Sequence, residues 1–433
     1  MSLSQTNINR FHRAVGGVFV RNLSSAVIVQ AVLSAGNLAV GLILIRFASD
    51  AQYGYYVLVA NALLLITAAQ TQFIGPAMIE RLTRLGKSDR SSFISGLYRD
   101  QRRLLPIFGS IAAVVTAGMW IAGTLTTHTA LLVFAAIVAA LANLYREFFR
   151  MVLLAYRLPT DVLRVDTVYV VALVLGAAIS TFFPVAATIT VMILFAAALG
   201  SGILLARALR RHEPWNMPAA SGVLRRLAPI GAWTAAGGII HWSFSQGYNY
   251  LIVGTLDVNA VAAVAATRLL MMPVNMLSTG IGSLMLPTAS AWLLEHRPGV
   301  VFRRLVLLCF GLAGIALCYL GVVWIFRDLI FTDVLHKKFA QRDLLLVLWS
   351  VIFLLMIFRD QLLFLPLARA RYRSLTVMTF CCAVTSLVVS YFSILHIGVA
   401  GALVGVLTGE FISVAGLIGM SLIEINRDAP IQV

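Results

Sequence analysis

The side chains best suited to chemistry are charged or amide groups embedded in apolar surroundings. Arg268 stands about ten residues into a long apolar run, about 15 Å along a helix at ~1.5 Å per residue. A charge at that depth costs roughly 2.5–3.5 kcal/mol even on the permissive insertion scale, so it needs a purpose. Its planar fork of donors suits a phosphate-like anion, and a structural pair with Glu410, at similar depth in the last apolar run, is the alternative. Glu410 is correspondingly either a proton-coupling carboxylate or a hydrogen-bonded structural acid. The run around residue 245 is unusually polar, with His241, Trp242, Ser243, Ser245, Gln246, Tyr248, Asn249 and Tyr250. His241, Ser245 and Tyr248 share a helix face by their i,i+4 and i,i+3 spacing. Amides and aromatics of this kind suit a wet cavity that binds sugars, although a lone histidine is as readily a packing residue. Asn37, Asn61, Gln70 and Gln72 add amides from the first two runs. Arg146, Glu147 and Arg150 fall together further on, either lining a cationic vestibule or meeting lipid headgroups, while Asp166 is expected at an interface.

Composition dictates which elements position these groups. Sixty per cent of the 433 residues are hydrophobic and 12% charged, against roughly 45–50% and about 25% in soluble domains. A soluble core cannot hide so much apolar surface, which makes this a polytopic membrane protein. The net charge of +16 therefore speaks to membrane orientation rather than to nucleic acid. The four cysteines, Cys309, Cys318, Cys381 and Cys382, lie inside apolar runs and are read as small hydrophobes. No phosphate-binding glycine loop, metal cluster or nucleophile elbow is evident, so neither a cofactor nor enzymatic chemistry is expected.

Apolar runs between charge clusters predict twelve transmembrane helices, near 25–45, 54–75, 104–124, 130–154, 163–183, 186–206, 229–254, 259–285, 305–325, 343–364, 374–394 and 398–422. Lys and Arg number 27 on the side of the termini and 5 on the other, with Arg268 inside a helix. The positive-inside rule then places both termini in the cytoplasm. Expected organisation is a cytoplasmic segment 1–24, a six-helix bundle 25–207, a linker 208–228, a second bundle 229–422 and a tail 423–433. Residues 80–103 alternate aliphatic and basic side chains and predict an interfacial amphipathic helix, a membrane rest or a docking face for a glycosyltransferase. Pro273, with Gly280 and Gly282 beyond it, predicts a kink that serves as a hinge or merely as packing.

An offset of about 208 residues superposes the halves. Phe149-Arg150-x-x-Leu153-Leu154 matches Phe358-Arg359-x-x-Leu362-Leu363, and Leu42-Ile43-Leu44 falls near Tyr250-Leu251-Ile252. Six helices per half is even, so the repeats are parallel, related by an axis along the membrane normal, with a substrate site expected between them.

Several local patterns carry a resemblance. They are Tyr53-Gly54-Tyr55-Tyr56-Val57-Leu58, Gly231-Ala232-Trp233, Val264-Ala265-Ala266-Thr267-Arg268-Leu269-Leu270 with Pro273, and Ile397-Gly398-Val399-Ala400-Gly401-Ala402 with Gly409-Glu410. In these and in its twelve-helix plan the chain resembles the bacterial polysaccharide-repeat-unit flippases, the Wzx-type branch of the MATE-like (MOP) superfamily. The resemblance implies an all-α fold of two parallel six-helix bundles in the bacterial inner membrane. It implies translocation of an undecaprenyl-pyrophosphate-linked oligosaccharide to the outer leaflet, for O-antigen, capsule or exopolysaccharide. Membrane lipids, and glycosyltransferases and a polymerase of the same pathway, are the expected partners. Arg268, Asn61, Gln246, Asn249, His241, Asn37, Arg146 and Arg150 are then the candidate substrate contacts, and Glu410 the candidate coupling group. A lipid II-type flippase, a MATE drug antiporter and a membrane polymerase or ligase are the rivals. The runs 25–45 and 229–254 contain no Asp or Glu, which disfavours the antiporter. The longest outward loop, about 326–342, has no triad, which disfavours the enzyme.

Overall fold

The computed structural model describes residue 28 and residues 30–212 and 222–427. The expected segment 1–24, residues 213–221 of the expected linker and the tail from 428 lie outside the described residues. Fourteen α-helices follow in order: α1 (Gln30–Phe47), α2 (Asp50–Arg84), α3 (Lys87–Ile121), α4 (Thr127–Ala155), α5 (Pro159–Ser180), α6 (Ala186–His212), α7 (Val223–Thr255), α8 (Val258–Leu269), α9 (Met272–Glu295), α10 (Pro298–Ile325), α11 (Arg342–Leu362), α12 (Phe364–Ala368), α13 (Tyr372–Ile397) and α14 (Val399–Arg427). A π-helical turn, Leu329–Val334, separates α10 from α11, and there is no strand among the described residues.

Ten of these segments are long and apolar enough to cross a membrane, and α8 with the first part of α9 makes an eleventh, bent by 56°. The difference from the expected twelve lies in α7, whose polar run from His241 to Asn249 lowers its hydropathy although it is 33 residues long. The break between α8 and α9 falls at Leu270-Met271, with Pro273 in the first turn of α9. That is the place expected for the kink, since proline fits a helix start and interrupts a helix interior. The expected interfacial helix over 80–103 is corrected. Its residues are the end of α2 and the first turns of α3, joined at Leu85-Gly86. Phe93, Ile94 and Leu97 are buried among Met78, Phe148, Phe149 and Leu153 instead of resting on lipid.

The chain forms two compact units, Met1–Val40 with Ala62–Ala236, and Gly41–Asn61 with Gly237–Val433. The division by contacts thus crosses α1, α2 and α7 instead of falling in the segment 208–228. In the first unit α4 packs on α6 through small residues. Ala135, Ala139 and Ala142 are buried on α4, and a Cβ at Gly202 of α6 would collide with the ring of Tyr145. Close approach through small side chains replaces the hydrophobic drive that lipid cannot provide. Proline inside a membrane helix frees a carbonyl that a neighbour must satisfy. Pro76 of α2 does so for Gln72, whose carbonyl accepts from Thr234 Oγ1 of α7 at 2.6 Å.

In the second unit the closest pair is α13 and α14. Gly401, Gly405 and Gly409 repeat every fourth residue along α14, and a Cβ at any of them would strike α13, at Ser393, at Ser386 and Ser390, and at Ser386 respectively. Ser390 Oγ donates to the Ala402 carbonyl at 2.9 Å across this seam. The two helices are joined by Gly398 alone, at φ 66 and ψ -144, a conformation essentially reserved for glycine. Replacing Gly405 by leucine should therefore cost at least about 1–3 kcal/mol by overpacking, read as a lowered melting temperature in detergent. Gly419→Ala, where nothing lies within 4 Å, should be neutral or slightly stabilising.

Candidate functional site

Arg268 occupies the last turn of α8, where the unsatisfied carbonyls of a helix end favour a cation. The break that follows is itself supported, because Tyr319 Oη donates to the Leu270 carbonyl at 2.8 Å. Nη1 of Arg268 donates to Gln246 Oε1 at 2.6 Å and to Tyr248 Oη at 3.3 Å. Its guanidinium lies 5.4 Å from the ring centre of Trp349, within cation–π range. Trp349 is held in turn by its indole N–H, which donates to the Val264 carbonyl at 3.2 Å. Asn249 Nδ2 reaches the Gln246 carbonyl at 3.2 Å and Oε1 at 3.4 Å. Tyr248, Asn249 and Trp349 are fully buried, Gln246 nearly so, and Arg268 only half. Nε and Nη2 of Arg268 make no hydrogen bond among the described residues, and no carboxylate pairs with it there.

The alternative considered for Arg268, a structural pair with Glu410, is not formed. Glu410 of α14 is ion-paired with Arg359 of α11 and meets Arg268 only through longer-range electrostatics. Arg359 also holds Asp360 Oδ1, through Nη2 at 2.8 Å and Nε at 3.0 Å. Ser278 Oγ donates to Asp360 Oδ2 at 3.1 Å, and Gln361 Nε2 donates to the Ser278 carbonyl at 3.3 Å. With both acids ionised this cluster carries one negative charge more than positive. The other Glu410 oxygen, Oε2, is buried without a hydrogen-bond partner.

Arg146 and Arg150, expected as substrate contacts, lie in the first unit within a closed ring of ion pairs. Arg146 bonds Glu147 at 2.6 Å and Asp166, while Arg150 bonds Asp166 at 2.9 Å and Glu147 at 3.2 Å. The Tyr169 ring stacks 3.8 Å from the Arg146 guanidinium. Two arginines and two acids cancel, and Arg146 and Asp166 are almost wholly buried. Asp166 is thus at the centre of a buried network rather than at an interface.

Gln246 bonds Arg268 and Asn249 reaches it only through Gln246, whereas no contact joins Asn61, His241 or Asn37 to it among the described residues. Asn61 accepts the Trp242 indole N–H on its backbone carbonyl at 3.0 Å, and its own Nδ2 is buried without a partner. Tyr250 Oη likewise donates to the Leu58 carbonyl at 2.8 Å. His241 is exposed, in the neighbourhood of Arg359 and Asp360, and Asn37 is exposed on α1 in the first unit. Sequence reading missed Trp349 and the Arg359–Glu410 pair. Arg359 carried a signal, since it matches Arg150 in the repeat, but nothing local marks Trp349 as the face on which Arg268 rests.

No family model and no curated protein matches the sequence. Solved structures do match its fold. An inward-facing multidrug resistance MATE family transporter of the MOP superfamily superposes with a TM-score of 0.70 at 12% identity, covering 93% of this chain and 96% of that one. The lipid II flippase MurJ, in an inward closed conformation, gives 0.70 at 7% identity over 91% and 86%. A MOP superfamily transporter from Pyrococcus furiosus Vc1, for which a reversed polarity of the binding pocket suggests a different function, gives 0.59 at 13% over 94% and 95%. The chain is an all-helical, multi-span protein with the MATE/MOP-like fold.

Proposed function

We propose that this protein is a flippase that carries an undecaprenyl-pyrophosphate-linked oligosaccharide repeat unit from the cytoplasmic to the outer leaflet by alternating access, for polysaccharide export. Its place is the bacterial inner membrane, with both termini cytoplasmic, and it performs no covalent chemistry. The observation that carries this reading is the state of Arg268. Arg146, Arg150 and Arg359 are matched by carboxylates, whereas Arg268 is held by an amide, a phenol and an indole face, none of which neutralises it. A half-buried guanidinium prepared in this way recognises an external anion, and its two uncommitted nitrogens suit the oxygens of a pyrophosphate. Gln246 and Tyr248 orient it, and Asn249 in turn holds the Gln246 amide.

A MATE-type drug antiporter shares the fold but would carry a cation. Helices α1 and α7 hold no Asp or Glu, and Arg268, held by neutral groups, would repel a cation. A lipid II-type flippase shares both the fold and the anionic headgroup, and the two differ in the sugar accepted. Glu410, with one oxygen paired and one bare, is the proposed coupling group, taking up a proton or cation during the cycle. The ring of Arg146, Glu147, Arg150 and Asp166 is assigned to scaffolding instead of to substrate.

In liposomes containing the purified chain, R268A should slow transbilayer movement of a polyprenyl-pyrophosphate oligosaccharide by about 10- to 100-fold. That corresponds to a lost hydrogen bond to a charged group worth about 1.5–3 kcal/mol. R268K should retain part of the activity, because lysine keeps the charge and loses the fork. Wild-type movement by R268A, at an unchanged melting temperature, would refute the assignment. Asp166→Ala should act on folding. Removing one member of a buried ion pair costs about 3–5 kcal/mol, so a marked drop in melting temperature is expected, while the folded fraction keeps its transport rate.

A further inference from the structure

A second place in the first unit has chemistry that the transport site does not use. Helices α3, α4 and α6 enclose a groove of about 310 Å³, at the lower end of the roughly 300–1,000 Å³ of ligand sites. Its walls are graded. Leu105, Val138, Leu141 and Phe195 line it with hydrocarbon, and Arg102 stands between these and the aromatic rings of Tyr98 and Phe148. Arg99 and Arg103 flank Arg102 in sequence, on the side of the chain richest in Lys and Arg. Val138 and Leu199 of its lining are themselves 37% and 38% exposed, apolar side chains fit for lipid. The groove therefore joins an exposed apolar wall to a cation.

Near Arg102 one acceptor lacks a donor and a second has lost its regular helical one. Gln101 is 7% exposed and lines the groove. Its Nε2 is used on the Leu144 carbonyl at 3.4 Å, while Oε1 is buried with no hydrogen-bond partner. One turn beyond, Pro106 withholds the N–H that the Arg102 carbonyl would otherwise accept. At Pro76 the equivalent deficit is met by Thr234, yet at Pro106 no side chain among the described residues supplies a donor. Arg102 likewise forms no ion pair among the described residues. Unsatisfied acceptors at the edge of hydrocarbon are costly, so a matching occupant would bring hydroxyl hydrogens, a negative charge and an alkyl chain together.

We propose that this groove binds one anionic glycerophospholipid with a hydroxylated headgroup, a phosphatidylglycerol, with its phosphate on Arg102, its headgroup hydroxyls toward Gln101 and one acyl chain along Leu141 and Phe195. The inference goes beyond the transport reading, since the lipid is a bound regulator or stabiliser of the first unit and not the cargo. Phosphatidylethanolamine fits less well, because its net charge is zero and its ammonium would lie against a guanidinium.

The full-length chain, purified and delipidated in detergent, is titrated with dioleoyl phosphatidylglycerol or dioleoyl phosphatidylethanolamine. Bound lipid is counted by native mass spectrometry, and melting temperature is followed in parallel. Wild type should retain one phosphatidylglycerol per chain with at least a tenfold preference and gain thermal stability from it. R102Q should weaken that binding about tenfold and erase the preference. V138W changes a side chain that is 37% exposed, so it fills the groove without entering the helix seam, and it should lose the first-bound lipid of either kind. Q101L provides a further variant at the headgroup end and should lower the preference while leaving the melting temperature of the delipidated protein unchanged or raised. Equal binding of the two lipids by wild type would overturn the proposal. So would unchanged phosphatidylglycerol binding by R102Q and V138W, or displacement of phosphatidylglycerol by a polyprenyl pyrophosphate at equal concentration.

Discussion

Hydrocarbon charges heavily for an ion, and the placement of every buried arginine here follows from that constraint. Arg146 and Arg150 close a ring with Glu147 and Asp166, so four charges are taken from water together and neutralise one another. Arg359 is shared between Asp360 and Glu410. Arg268 alone among these four is borne by neutral groups: an amide oxygen, a phenol and the face of an indole. Those partners orient a guanidinium without cancelling it. The cost of leaving the charge open is moderated by half exposure and by the end of α8 on which it sits. Such an arrangement costs stability and leaves the guanidinium open to an external anion.

Polar backbone is handled by the same logic. A chain bent inside a membrane must supply donors to each carbonyl it frees, and the bends here show how. Thr234 serves the Gln72 carbonyl released by Pro76, and Tyr319 serves Leu270 at the break between α8 and α9. The second case matters for function, because the break ends α8 directly after Arg268 and so sets the height of its side chain. Packing adds rigidity around it. Gly401, Gly405 and Gly409 bring α14 close to α13, and Glu410, the residue after the last of these glycines, is delivered to Arg359 by the backbone that this seam fixes.

Much of this was readable before any coordinates. Apolar runs bounded by charges locate the helices, although α2, α3, α6, α7 and α10 extend between one and five turns beyond their runs, and Pro273 predicts the break, because hydropathy and proline stereochemistry are local properties. Gln246 and Asn249 stand out for the same reason, as amides in a helix otherwise rich in apolar and aromatic residues. What escaped was non-local. Residues 80–103 have an amphipathic pattern that suits a membrane surface, yet Phe93 and Leu97 find a protein core, and pattern alone does not distinguish the two destinations. Glu410 was matched to Arg268 by depth, whereas the observed partner, Arg359, is chosen by which helices face one another. Trp349 comes from α11, about eighty residues from Arg268, and no spacing rule connects them.

The repeat sharpens the contrast between the units. At an offset of 209 residues Arg150 corresponds to Arg359, and both arginines are in buried ion pairs. Their partners do not correspond. At the same offset Glu147 and Asp166 fall on Met356 and Leu375, while Asp360 and Glu410 fall on Met151 and Ser201. A cation retained at matching positions with acids drawn from different helices means that each unit solved the same solvation problem separately. In the first unit the ring is neutral, with every charge in it answered. The second stopped short, leaving a bare Glu410 oxygen in one cluster and an unpaired Arg268 in another. Electrostatic incompleteness of both signs within one unit is the pattern required where an anion and a compensating cation are to be admitted and released, and a neutral ring is the pattern of a scaffold. The proposed transport chemistry accordingly draws on residues of the second unit.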